Sequence, residues 1–251
     1  MSDWLTEVKK SLNQRATPVT FFFRDDDAGW SNDRLFALLD VFARYELPID
    51  LAAIPQATTI ALAEHLLKRL ASTPELVAVH QHGFAHLNHE LQGKKTEFGA
   101  TRSAQLQMKD ISSGREKLFE LFGAHLQPIF TPPWNRCSRV TGHCLSELGF
   151  RILSRDHTAE ACNIVGLSEL PVCIDWFKQQ RGIRLTNEQI GSQIATAVQQ
   201  KPVVGIMLHH ALIDEKERHS LQDLLRLLTH HPAVQCLPMM RVISPQSSVS
   251  N

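Results

Sequence analysis

The chain has 251 residues, 43% of them hydrophobic, with 26 basic and 26 acidic side chains. That length suits one large domain or two small ones with an ample core, and balanced charge without a basic stripe argues against a nucleic-acid partner or an acidic membrane surface. No apolar run in the sequence approaches the roughly 18 to 20 residues of a membrane span.

Residues 1–17 form a polar segment. Its first part, Met1 to Leu12, alternates charged and apolar residues and lacks a continuous apolar signal segment, so a cytoplasmic location is expected. Pro18 to Phe23 reads as a buried strand, and Asp33 to Tyr45 places Leu35, Leu38, Leu39 and Phe42 at helical spacing. Leu47 to Ile54 is a second strand, Thr58 to Ala71 a helix, and Leu76 to Val79 a third strand. His80 to Ala100 is polar with three glycines and reads as a long loop of the kind that carries function.

A helix over Thr101 to Phe122 leads to a strand at Pro128 to Phe130, and a helix over Ser138 to Leu148 stops at Gly149. Short strands follow at Arg151 to Ser154 and Leu170 to Ile174. A helix over Asn187 to Gln200 precedes the apolar strand Val203 to Leu208, and an amphipathic helix over Glu215 to Leu228 precedes a last strand at Ala233 to Leu237. Residues 244–251 are Ser-rich and expected to be a flexible tail. Seven or eight strands alternating with helices, without repeats or linkers, predict a single domain over residues 1–251, a distorted (β/α) barrel of TIM type.

Five cysteines, widely spaced and without a C-x-x-C pair, predict reduced, packed thiols. The polar residues are distributed less evenly. Phe21-Phe22-Phe23-Arg24 runs into Asp25-Asp26-Asp27 at the end of the first strand, where three like charges persist only if donors, cations or a metal offset them. A turn or helix cap is the plainer reading of such a triplet, because Asp is common at both. Yet His80, His82, His86 and His89 follow the third strand, Pro132-Pro133-Trp134 the next, and Asp175-Trp176 and His209-His210 later ones. Five polar clusters at five strand ends of one sense point to an active site, because the loops at the C-terminal ends of barrel strands converge on one face.

His82 and His86 are four residues apart, which on a helical turn would put both imidazoles on one side. With a carboxylate from the triplet they would make a two-histidine, one-aspartate site suited to Zn²⁺ or another divalent transition metal. His80 is expected to be buried in its strand and His89 solvated or outside the ligand set.

Arg24-Asp25-Asp26-Asp27-Ala28, His82-Gly83-Phe84-Ala85-His86, Phe130-Thr131-Pro132-Pro133-Trp134, Asp175-Trp176 and Leu208-His209 occur in the order of the five motifs of the polysaccharide deacetylase superfamily, which the chain resembles from about residue 20 to 215. The resemblance implies a divergent cytosolic, metal-dependent hydrolase that removes acetyl groups from an N- or O-acetylated sugar or related small amide. The family's adjacent Asp pair could fall on Asp25-Asp26 or Asp26-Asp27. The small residues Ala28-Gly29 after the pair favour the second, making Asp26 the general base and Asp27 the metal ligand beside His82 and His86. His209 takes the place of the general acid, with His210 as the alternative.

Pro133, Trp134 and Trp176 would line the substrate, although both tryptophans could equally be core residues. Asp25, Asp175 and His210 would support the site from behind. Two departures stand out. The family's third motif supplies an arginine that pairs with the catalytic Asp, and Thr131 occupies that position here. Arg24 offers a substitute, since on a strand it faces the same side as Asp26. Asp214 could orient the acid or begin the next helix. Two competing readings are a non-catalytic metal or carbohydrate binder on the same scaffold, and a barrel hydrolase of another bond such as a cyclic amide or phosphoester.

Overall fold

The computed structural model describes residues 3–243, so the Ser-rich segment 244–251 lies outside the described residues. Its backbone begins with a 3-10 turn at Asp3–Leu5 and helix α1 (Thr6–Asn13), which bury Trp4, Leu5, Val8 and Leu12. The alternation that read as a polar segment is therefore the amphipathic pattern of a short helix.

Strand β1 (Val19–Ala28) is longer than expected and carries the Asp triplet within it. There follow α2 (Asn32–Arg44), β2 (Ile49–Ala53), α3 (Ile60–Ser72), β3 (Val77–His82), α4 (Ala104–Phe122), β4 (Leu126–Thr131) and α5 (Arg139–Glu147). Next come β5 (Ile152–Leu153), β6 (Ser168–Glu169), β7 (Ile174–Asp175), β8 (Gln179–Gln180), β9 (Ile183–Arg184) and α6 (Asn187–Gln200). The chain ends in β10 (Val203–Leu208), α7 (Glu215–His230), β11 (Val234–Cys236) and α8 (Met239–Ile243). Helix starts follow local chemistry: Thr59, Ser103, Ser138 and Asp214 each accept a first-turn N–H, and Thr186 with Gln189 forms a reciprocal capping box at α6. Asp214 is thus a helix cap.

Nine strands form one parallel sheet in the order β6-β5-β4-β3-β2-β1-β10-β7, with β11 beside the start of β1. The curl is completed by the segment 168–175. Leu170 and Val172 donate their N–H groups to Leu153 and Arg155 on one side, while Cys173 and Trp176 donate to Gly205 and Met207 on the other. The result is a distorted (β/α) barrel. Strands β8 and β9 form a separate antiparallel hairpin that the sequence reading missed.

Alternation along β1 sorts its side chains. Phe21 and Phe23 join the large cluster under the helices, whereas Phe22 packs inside with Ile129, Ile152, Leu170, Val172, Met207 and Met239. Each fully buried Phe of this run contributes roughly 1.5–3 kcal/mol relative to exposure. Met239 comes from α8, which closes the N-terminal end of the barrel, so the apolar interior lies at the bottom and the polar layer at the C-terminal mouth. All five cysteines are free thiols. Among the described residues no helix is long and apolar enough to cross a membrane.

Candidate functional site

The three adjacent carboxylates point three ways. Asp26 faces inward with Arg24, whose Nε and Nη2 donate to Oδ1 and Oδ2 at 2.8 and 2.9 Å. This is a two-point fork between side chains that are buried. The guanidinium is itself fixed by Ser154 Oγ and Asn135 Oδ1, each at 2.7 Å, and touches Met207 Sδ. Thr131, where the family arginine was expected, instead contacts His80 Nε2 at 2.9 Å through its hydroxyl. Burial, followed by the nearby charges of Arg24 and His82, lowers His80 well below its usual pKa, so it is a neutral packing element of the interior.

Asp25 faces the opposite way and is consumed by His210. Its Oδ1 accepts the His210 backbone N–H at 2.8 Å and its Oδ2 contacts Nδ1 at 2.6 Å, while His210 Nε2 lies 2.6 Å from the Trp30 carbonyl. Burial alone would lower the His210 pKa, but the Asp25 carboxylate and the Trp30 carbonyl raise it to about 9. Both ring nitrogens are engaged and the residue is fully buried, so His210 braces the site.

Asp27 breaks the strand alternation, with φ at +71°, and turns its carboxylate to the third side. Its Oδ1 lies 3.2 Å from His82 Nε2 and 3.2 Å from His86 Nε2. Neither contact is aligned as a hydrogen bond, so this buried oxygen has no hydrogen-bond partner among the described residues. Asp27, His82 and His86 form the one group of three potential ligands found among the described residues. His82 Nδ1 sits 3.0 Å from the Thr131 carbonyl, which fixes the proton there and leaves Nε2 as a lone pair facing Asp27. Burial pushes the Asp27 carboxyl up, but where the neighbouring rings are protonated the N–H groups and charge of His82 and His86 outweigh it and bring it well below the usual range. The donor set fits a divalent metal: ligands about 2.0–2.2 Å from one ion stand roughly 3.0–3.5 Å from each other.

His86 reaches this position differently from the sequence expectation. His82 ends β3, Gly83 takes φ +54°, and His86 itself sits at φ +56°, so the two rings converge through a looped backbone instead of a helical turn. Trp30 and Trp134 flank His86, with centroids 5.1 and 4.5 Å from its ring. Trp134 follows Pro133 in a tight turn where Trp134 and Asn135 are both left-handed.

His209 stands on the far side, its Nε2 4.0 Å from Asp27 Oδ2 and its side chain 26% exposed. Its Nδ1 has no hydrogen-bond partner among the described residues, and Asp175 is near enough for their charges to interact. Burial raises the Asp175 pKa, partly countered by the Phe177 N–H and by His209.

Trp176 is a correction. It is completely buried, donates Nε1–H to Glu217 at 2.8 Å and packs edge-on against Trp4 at 6.0 Å, so it belongs to the core beneath the helices and lines no pocket. Sequence reasoning missed Asn135 and Ser154 as partners of Arg24. Ser154 directly follows β5 and Asn135 closes the turn after β4, so the strand-end rule could have found them.

A parallel (β/α) barrel whose strand ends gather an Asp-His-His donor set and an arginine-held carboxylate defines the structural class. No family model matches the chain, and no curated protein matches it. Among solved structures, it is similar to a candidate polysaccharide deacetylase from Mycobacterium smegmatis, at 17% identity and TM-score 0.68 over 91% of this chain and 90% of that one. It is similar also to a family 4 acetyl xylan esterase from Clostridium thermocellum in complex with a cobalt ion (14% identity, TM-score 0.59, 89% of both chains). A third is a CE4 family pseudoenzyme from Bacillus anthracis (10% identity, TM-score 0.60, 91% of this chain and 66% of that one). The fold is that of the polysaccharide deacetylases.

Proposed function

We propose that the protein is a metal-dependent deacetylase of the polysaccharide deacetylase superfamily, acting on an N- or O-acetylated sugar or related small amide. The observation that carries this reading is the Arg24–Asp26 fork standing next to the Asp27-His82-His86 set, with a partly exposed His209 opposite. A Zn²⁺ or similar ion held by Asp27, His82 and His86 would acidify a water and polarise the acetyl carbonyl.

The chain's own residues do the rest. Arg24 occupies one lone pair on each Asp26 oxygen and leaves the others to accept the proton of the attacking water. His209 donates a proton to the departing amine or alkoxide. The N–H of Trp134 lies in the first turn of a 3-10 helix, where such donors lack a carbonyl partner, and can receive the developing oxyanion. The 43%-exposed Trp30 and the half-buried Trp134 would wall the mouth, with the buried Pro133 next to Trp134 in the same turn.

The test is metal content together with acetate release from a panel of N- and O-acetylated sugars. Asp27→Ala is expected to lose the metal, and Asp26→Asn to keep it while turnover falls by about 10²-fold or more. Undiminished turnover in Asp26→Asn would refute the base assignment. Bound metal without acetate release across the panel would favour a non-catalytic binder, for which the Bacillus anthracis pseudoenzyme is a precedent on this fold.

A further inference from the structure

We propose that Glu97 is a positioning residue for the metal site, holding His86 in its ligating place without touching the ion. This rests on the reading of Asp27, His82 and His86 as metal ligands.

His82 is placed by a strand and by the Thr131 carbonyl, but His86 hangs on a loop in a left-handed conformation. That backbone is strained for a residue with a Cβ, so its surroundings must hold it. Glu97 supplies the hold. Its carboxylate is completely buried and pairs with no cation among the described residues. Its oxygens are instead taken up by main-chain donors on both sides of His86. Oε1 accepts the N–H groups of Ala85 at 2.8 Å and Leu87 at 3.3 Å, and Oε2 that of Phe84 at 3.1 Å.

Gly83 completes the device. A Cβ at that position would overlap both Glu97 Oε2 and the Pro133 ring, so the clamp is pressed against the turn that carries Trp134. The far end of the loop is closed separately, by Asn88 Oδ1 accepting the N–H groups of Glu90 and Thr96 and by the His89 N–H bonding the Thr96 carbonyl. Gln81 and the Gln56 N–H hold the carbonyls of Gly83 and Phe84, and Glu97 is the side chain that takes up the N–H groups on both sides of His86. A carboxylate suits the place because both its oxygens only accept. In a carboxamide one oxygen becomes an NH₂ facing an N–H, which breaks the nest on one side.

The experiment is titration of the metal-free full chain with Co²⁺ and with Zn²⁺, read by calorimetry and by the Co²⁺ ligand-field absorption. Wild type, Glu97→Gln and His86→Ala are compared, with circular dichroism and thermal unfolding of each apo protein. Glu97→Gln is expected to stay folded, weaken Co²⁺ binding by about 10- to 100-fold and shift the absorption band, because the geometry of one ligand is released. Unchanged Co²⁺ affinity and spectrum in a folded Glu97→Gln protein would overturn the proposal and leave Glu97 a loop-packing residue. Should Glu97→Gln fail to fold, Glu97→Asp, which keeps the charge but withdraws it by one methylene, carries the same comparison. Absence of Co²⁺ and Zn²⁺ binding by wild type would overturn the metal reading itself, and this inference with it.

Discussion

Asp25, Asp26 and Asp27 are chemically identical neighbours, yet each meets a different partner. The pleat of β1 sends Asp25 to His210 and Asp26 to Arg24, and the left-handed turn at Asp27 frees its carboxylate for His82 and His86. Trp176 shows the same sorting with a different outcome. It follows Asp175, whose carboxyl lies toward His209, so the pleat carries its indole the other way, onto Trp4 and Glu217. Trp176→Phe is accordingly expected to lower stability by roughly 1–3 kcal/mol in urea unfolding, through the lost N–H bond and packing, while KM for an acetylated substrate stays at the wild-type value. A shifted KM at unchanged stability would return Trp176 to the pocket wall.

Among the elements, β1 and β10 form the spine, paired in parallel from Thr20↔Val203 to Asp25↔Leu208. Gly205 sits in this pairing opposite Phe22, and a Cβ there would overlap the Phe22 ring inside the barrel. Gly205→Ala is expected to destabilise the fold by about 1–3 kcal/mol, because the ring has no room to retreat among Ile129, Ile152 and Met207. Thermal unfolding measures this, and an unchanged or raised midpoint would show the interior to be more pliable than the packing implies. Most of these elements were legible from hydrophobic period alone: α6 and β10 match their expected spans residue for residue. The two-residue strands β6, β8 and β9 were not, because runs so short carry no period and exist only through partners distant in sequence or across a turn.

At the scale of the whole molecule the barrel is asymmetric along its axis, and Asp50 marks the transition. It is buried in β2, and its Oδ2 accepts the N–H of Met239 at the start of α8 while Oδ1 has no hydrogen-bond partner among the described residues. Burial, countered in part by that N–H, raises its pKa to about 7. The folded chain therefore retains a proton that the unfolded chain releases near its ordinary value of 3.8. The sign follows: this contribution to stability is fully present below about pH 4 and is lost as the pH rises through about 7. Asp50→Asn keeps an acceptor for Met239 without the ionisation. Its unfolding midpoint is expected to exceed that of wild type at pH 8, by up to ~4 kcal/mol in free energy, and to converge with it near pH 4. A difference independent of pH would remove Asp50 as the source.

The sequence by itself determined the alternation of strands and helices and the polar groups offered at each strand end, because hydrophobic period and residue chemistry are local properties. It also contained the ordered motifs that suggested the deacetylase fold. Strand period also put Arg24 on the side of Asp26; only the tertiary structure decided that Asn135 and Ser154 stand behind that pair, that His86 arrives through a left-handed loop, and that Trp176 belongs to the core with Trp4. These outcomes depend on pleat phase, on φ at single residues and on the closure of the sheet by residues 168–175. Each is set by contacts between segments far apart in the chain, which no local pattern encodes.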